Sequence, residues 1–375
     1  MQRNDGRGAA DWLAEGNAHY DAQRWNEAGA AFERSLELDP RQAHAWYRLG
    51  NVREEQGRDD AAAACFGKAV AIDPSHAQAW NNLGGARQRL GREEQAIAAY
   101  RSAMQADPRL AQPYLNLGRL AGARGDSALA AECFAAGLRH HPGDPTFEHL
   151  VAAAAGDNTA RAPEGYVTAL FDGFAPQFER HLVQDLQYRV PEALAQLVRP
   201  ALQAPAPVCL IDLGCGTGLV GAALAAAGAQ ITGVDLSPRM LEIAAARGVY
   251  ARLEQGELVE VLERTPAASV QAVVAADVFI YVGDLAAVFA SVARALAPGG
   301  VFALSVEGLE GGEYKLQPSG RYAHSPAYLR ALAAQSGLQE RQLERARIRR
   351  EARGHAEGWI ALFAKPGGRT QATAA

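Results

Sequence analysis

Apolar and polar positions obey two different rules along this chain of 375 residues. Up to about residue 155 the apolar positions are small residues and single aromatics at helical spacing, and the pattern recurs, with prolines at 40, 74, 108 and 142 falling 34 residues apart. Trp46, Leu49, Gly50, Gly57, Ala62, Phe66, Ala69 and Pro74 return in the next unit as Trp80, Leu83, Gly84, Gly91, Ala96, Tyr100, Ala103 and Pro108. Looser units flank them, Trp12, Gly16, Ala28, Phe32 and Pro40 before, and Tyr114, Leu117, Gly118, Gly125, Ala130, Phe134 and Pro142 after. Beyond residue 205 the rule becomes short apolar runs ending in acids or glycines, over 208–211, 230–237, 270–281 and 301–307, as expected of covered strands alternating with helices.

The 34-residue period resembles the tetratricopeptide repeat (TPR). Small residues stand where the two helices of a unit cross, and an aromatic in the second helix fills the gap, so only stacking of units buries a core. Four repeats and a capping helix after Pro145 are expected over 9–155, followed by a polar linker at 156–165. Inner helices would turn Asn17, Tyr20, Tyr47, Asn51, Glu54, Asn81, Gln88 and Arg119 toward a groove.

Chemistry concentrates in VCLIDLGCGTG, residues 208–218, which reads as a buried strand, a carboxylate and a glycine loop opening a helix near Leu219. Gly216, Gly218 and Gly221 satisfy GxGxxG, but that match alone is weak, and Asp212 at the strand tip would repel a pyrophosphate. S-adenosylmethionine (SAM) carries an ammonium and a sulfonium and no phosphate, so an acid beside the loop attracts it. Asp235, ending the strand in QITGVDLS, stands where a ribose-binding acid is expected. In the segment 250–258, Glu257 is placed to accept from an adenine amine while Leu258 packs on the ring.

From Val208 to Pro366 the chain resembles the class I SAM-dependent methyltransferases, although that family usually has Asp where Glu257 stands. The resemblance implies a Rossmann-like domain over 166–367 with N-terminal lid helices, and a cofactor site of Asp212, Gly214, Gly216, Gly218, Asp235, Leu236, Glu257, Leu258 and Asp277. It also places the end of the fourth strand, with Asp277, Phe279, Tyr281 and Asp284, nearest the transferring methyl. The motifs of amino-methylating nucleic-acid and glutamine enzymes, protein arginine methyltransferases and some lysine methyltransferases are missing here. Two segments fit a substrate pocket: YVTALFDGFAPQFERHLV (166–183), with Tyr166, Phe171, Phe174, Phe178 and His181, and LQPSGRYAHSPAY (316–328), with Arg321, Tyr322, His324, Ser325 and Tyr328 in one loop. Packing on the sheet is an equal reading for Phe171 and Phe174. Such stretches, joined to repeats, are similar to a bacterial group of predicted TPR-containing methyltransferases. For a hydroxyl acceptor His324 is the first candidate base, with Asp277 and Tyr281 as alternatives; no metal site is expected.

The expected architecture is thus multidomain, an N-terminal all-α TPR solenoid plus a C-terminal α/β Rossmann-like class I methyltransferase domain, with a disordered tail at 368–375. Composition changes little: 49% apolar and 21% charged residues are ordinary for a soluble protein. The N-terminus lacks an apolar signal core and no run is long enough to span a membrane, so a cytoplasmic location is expected, with Cys65, Cys133, Cys209 and Cys215 reduced. Arg341, Arg345, Arg347, Arg349, Arg350 and Arg353 suggest a nucleic-acid face, but acids interrupt them, Ala346 and Ile348 alternate with them, and the net charge is −5, which favours a solvated strand. The leading expectation is methylation, on oxygen, of a small or carrier-bound molecule, with the repeats binding a partner or a second copy. The alternatives are a protein methyltransferase whose TPR groove recruits its target, and a non-catalytic SAM-binding scaffold.

Overall fold

A computed structural model describes residues 7–174, 188–203, 208–351 and 354–367; Phe178, His181, Arg353 and the tail at 368–375 lie outside the described residues. The chain divides into two compact units, Met1–Val151 and Ala152–Ala375. No helix among the described residues is long and apolar enough to cross a membrane.

The first unit is built of helical pairs: α1 (Ala9–Asp21) with α2 (Trp25–Leu38), α3 (Ala43–Glu55) with α4 (Asp59–Ile72), α5 (Ala77–Arg89) with α6 (Glu93–Ala106), and α7 (Ala111–Arg124) with α8 (Ser127–His140). The recurring glycine and aromatic of each unit are one device. A Cβ on Gly16, Gly50 or Gly84 would stand 2.5 Å from a ring carbon of Phe32, Phe66 or Tyr100, and one on Gly118 would overlap Phe134. The recurring proline is tied in as well: Trp46 and Trp80 donate from Nε1 to the carbonyls of Pro40 and Pro74 at 2.9 Å, and Tyr114 donates to that of Pro108 at 3.2 Å. Phe147 on α9 (Pro145–Ala155) fills the same kind of notch over Gly137.

Among the described residues, the second unit centres on a nine-stranded sheet. Five parallel strands run in the order β3 (Arg252–Gln255), β2 (Gln230–Asp235), β1 (Cys209–Leu213), β4 (Val270–Ala275) and β5 (Leu296–Gly308). Antiparallel β9 (Gly354–Ala364) pairs with β5, and β8 (Gln339–Glu351) pairs with β9. The expected loop at 316–328 is instead a hairpin of β6 (Tyr314–Leu316) and β7 (Tyr322–His324), with β7 extending the end of β5, followed by α16 (Pro326–Gln335). One core lies against α14 (Leu258–Arg264), α15 (Ala286–Ala295) and α16, the other against α11 (Val190–Val198) and α12 (Leu219–Leu224). α13 (Pro238–Ala246) follows β2, and α10 (Glu164–Phe174) packs near its start.

The stretch 156–165, expected to be a linker, is stitched to the sheet. Asn158 donates to the Tyr314 carbonyl at 3.0 Å and accepts from the Leu316 amide at 2.8 Å, so its side chain acts as a partner strand for β6. The Ala160 carbonyl accepts from the amides of Gly283 and Asp284, and the Ala162 amide donates to the Tyr281 carbonyl.

Candidate functional site

At the C-terminal edge of the parallel strands, Asp212 is the last residue but one of β1 and Asp235 the last of β2, and the loop 214–218 follows β1. Asp235 is cradled by the amides of Gly216 and Ser237, each at 2.9 Å. Burial raises its carboxyl above the usual range, against the pull of those amides. Asp212 is 1% exposed; its Oδ2 accepts from the Tyr250 hydroxyl at 2.7 Å, while Oδ1 has no hydrogen-bond partner. Burial pushes the Asp212 carboxyl up to about 7; the Tyr250 bond opposes that shift and Asp235 adds to it.

The loop glycines serve the protein's own packing as well as any ligand. Gly214 and Gly216 have φ of +60° and +53°. A side chain on Gly214 would meet Val278, one on Gly218 would meet Tyr250 at 2.9 Å and Arg247 at 3.0 Å, and one on Gly221 would meet Tyr250 at 2.5 Å. Tyr250 therefore occupies the space that the GxGxxG spacing leaves, a role that its place at the head of the segment 250–258 did not announce. Cys215 is buried and its thiol is pushed far up, so it is inert.

Glu257 does local work: its Oε2 accepts from the amides of Val259 and Glu260, capping α14, and Oε1 lies 3.4 Å from Arg161. Leu258 is buried in the core, and Leu236 is half-buried against the cluster that includes Tyr166.

The apolar run 270–281 does not stay extended. β4 stops at Ala275, Asp277 takes a left-handed φ of 56°, and Phe279–Tyr281 form a 3-10 turn. The Asp277 amide donates to Ser305 Oγ at 2.9 Å, and both its carboxylate oxygens accept from Arg349 Nη1, at 3.1 and 2.8 Å. Arg349 Nη2 donates to Glu307, and Arg321 lies 3.7 Å from the same carboxylate. Arg349, expected on a solvated strand, is thus 4% exposed; the register of β8 on β9 shifts between Arg347 and Arg349, so Ile348 and Arg349 both face inward. Burial raises the Glu307 carboxyl, with Arg349 and Arg321 pulling it back.

The expected bases fare poorly. His324 is fully buried on β7; its Nε2 lies 3.0 Å from the carbonyls of both Val282 and Gly283, which requires Nε2 to carry the proton. Burial lowers it to about 4, with those carbonyls opposing, so it is a neutral structural donor rather than a poised base. Tyr281 is raised by burial and stays a phenol, packed edge-on against Phe171 at 5.4 Å and Tyr166 at 6.3 Å. Of the expected substrate contacts, Ser325 caps α16 through the Tyr328 amide and donates to the Gly312 carbonyl, and Tyr322 is buried against Thr159, so both hold the hairpin. Asp284 likewise accepts from Tyr328. Arg321 and Tyr166 remain beside Tyr281, whereas the side chain of Phe174 lies outside the described residues.

Residues 211–304 match the family described as methyltransferase domain, and residues 13–76 and 60–111 match that described as tetratricopeptide repeat. Methyltransferase-like protein 27 of Homo sapiens is 46% identical over 85 residues, 22% of this chain and 34% of that protein. The ubiquinone biosynthesis O-methyltransferase of Xanthomonas axonopodis pv. citri (strain 306) is 31% identical over 156 residues, 36% of this chain and 64% of that protein. The chain therefore spans less than two thirds of either relative. Among solved structures, the [4+2]-cyclase SpnF aligns with 56% of this chain and 99% of its own at 18% identity and a TM-score of 0.46. With the repeats, the sheet order and the two family matches together, the chain carries tetratricopeptide repeats in its N-terminal region and a class I methyltransferase domain after them.

Proposed function

We propose that the second unit binds SAM at the ends of β1 and β2 and transfers its methyl group to a hydroxyl of a small or carrier-bound acceptor at the ends of β4 and β5. The observation that carries this reading is the buried, unpartnered Asp212 Oδ1 beside the glycine loop, with Asp235 across it. A buried acid with an unused oxygen fits a ligand whose methionine end is cationic and does not fit a phosphate. SAM supplies an already activated sulfonium methyl. Asp235 would accept from the ribose hydroxyls, Asp212 would face the ammonium, and Leu236 and Leu258 would flank the adenine; Glu257, which caps α14 and pairs with Arg161, is left a structural role.

On the acceptor side, Asp277, Arg349 and Glu307 form a charge-compensated floor, with Tyr281 and Tyr166 as apolar walls. Alignment of the acceptor does most of the work. We assign Glu307, with its raised carboxyl, to receive a hydroxyl proton. Oxygen as the acceptor atom is supported by the name of the ubiquinone biosynthesis relative. A second reading, a protein target recruited by the repeats, is favoured by the amide row in which Asn82 donates to Asn51 at 3.1 Å and Asn116 to Asn81 at 3.0 Å.

Methyl-labelled SAM incubated with the protein and cell extract, followed by separation by size, tests both. Label in small molecules is the expected result; label in a protein band would replace it with the second reading, and no enzyme-dependent label would reduce the chain to a SAM-binding scaffold.

A further inference from the structure

Tyr250 sits in a slot made by absent side chains. A Cβ on Gly221 would approach its ring at 2.5 Å, and one on Gly218 or Gly233 would approach it at 2.9 Å, so glycines from the loop, from α12 and from β2 all make room for one ring. Within the slot its hydroxyl has a fixed orientation. It accepts from the Gly221 amide at 3.3 Å, which leaves its single proton for Asp212 Oδ2 at 2.7 Å. Oδ1 of the same carboxylate remains unpartnered.

Among the described residues no cation is bonded to Asp212. Asp235 on β2 and the Cys215 thiol of the loop lie near it, as does the phenol of Tyr188 ahead of α11. Arg247, just after α13, reaches the loop but donates to the Thr217 carbonyl, and Arg349 on β8 is engaged by Asp277 and Glu307. The Tyr250 hydroxyl is therefore the one side-chain donor that favours the charged form of Asp212 among the described residues.

We propose that Tyr250 is a positioning residue of the cofactor site: it anchors one oxygen of Asp212 beneath the glycine loop, with the other oxygen left for the cationic end of the ligand. The proposal rests on the SAM reading above. Because burial holds the Asp212 carboxyl near neutrality, cationic ligand binding is linked to loss of its proton. The sign follows: below its midpoint Asp212 is protonated in the free protein, a bound cation must expel that proton, and affinity falls about tenfold per pH unit as pH drops. Removing the hydroxyl removes an interaction that favours the carboxylate, so the midpoint rises and the steep region extends to higher pH.

The test is a calorimetric titration of the full chain with SAM between pH 5.5 and 7.5. The wild type is expected to lose affinity with a slope near one at the acid end and to level off toward pH 7.5. In Tyr250→Phe, which keeps the ring in its slot, the slope should persist to the top of the range, with affinity at pH 7 about tenfold weaker. Asp212→Asn should bind weakly with no pH dependence, and serves as the readout should Tyr250→Phe melt early. SAM binding whose pH profile is the same in all three proteins would overturn the proposal and leave the cofactor reading intact. No binding by the wild type at any pH would overturn both.

Discussion

Arg349 reverses the reading of its own neighbourhood. In the sequence it is one of several arginines alternating with Ala346 and Ile348, and strict alternation would place it with exposed Arg345 and Arg347. The register shift after Arg347 inserts one residue, and a guanidinium lands between two carboxylates. A bulge leaves no reliable trace in a hydrophobic pattern, so the sequence could not place it. Asp212 and Asp235, by contrast, were legible because strand tips and glycine loops are spaced by backbone geometry. Tyr250, the partner of Asp212, was not, since what it fills is space left by glycines distant in the sequence. Deleting one member of a buried ion network strands the others: Arg349→Met should cost about 3 to 5 kcal/mol in chemical unfolding. Exposed Arg341→Ala should stay within about 0.5 kcal/mol, and equal, small losses for the two would contradict the buried network.

At the scale of elements, the apolar runs located four of the five parallel strands, missing β3, and ran β4 too far. Asp277, with φ at 56°, breaks β4 and turns Phe279 and Tyr281 into a separate 3-10 turn. A left-handed aspartate costs energy and persists where its surroundings hold it, here Ser305 on its amide and Arg349 on its carboxylate. The segments at 156–165 and 316–328 read as linker and loop because their order comes from each other, across more than 150 residues of sequence, through bonds such as Asn158 with Tyr314 and Leu316. His324 and Ser325 were singled out there as polar residues in an alanine-rich chain, and their polarity is spent on carbonyls and a helix cap. Asn158→Ala removes two of the bonds that hold β6, about 1 kcal/mol each. Amide exchange across 314–324 should accelerate in that variant while β1 and β4 keep their protection; unchanged exchange in the hairpin would show that the strap does not support it.

For the whole molecule, the two hydrophobic rules of the sequence correspond to two units, one of stacked helical pairs and one around a single sheet. The repeat was readable because each unit reuses one glycine and one aromatic to close its helix pair, and the methyltransferase domain because its first two strands end in acids beside glycines. The acceptor was not readable, since the pocket proposed for it would be assembled from strand ends, a hairpin and a strap whose meeting is purely tertiary. The central claim is that the edge holding Asp212 and Asp235 is a SAM site, and a calorimetric titration of SAM into the full chain and into Asp235→Ala at pH 7.5 addresses it most directly. Saturable binding by the wild type, weakened in the variant by about 1.5 to 3 kcal/mol, is the predicted result; equal affinity in the two proteins, or no binding by either, would contradict it.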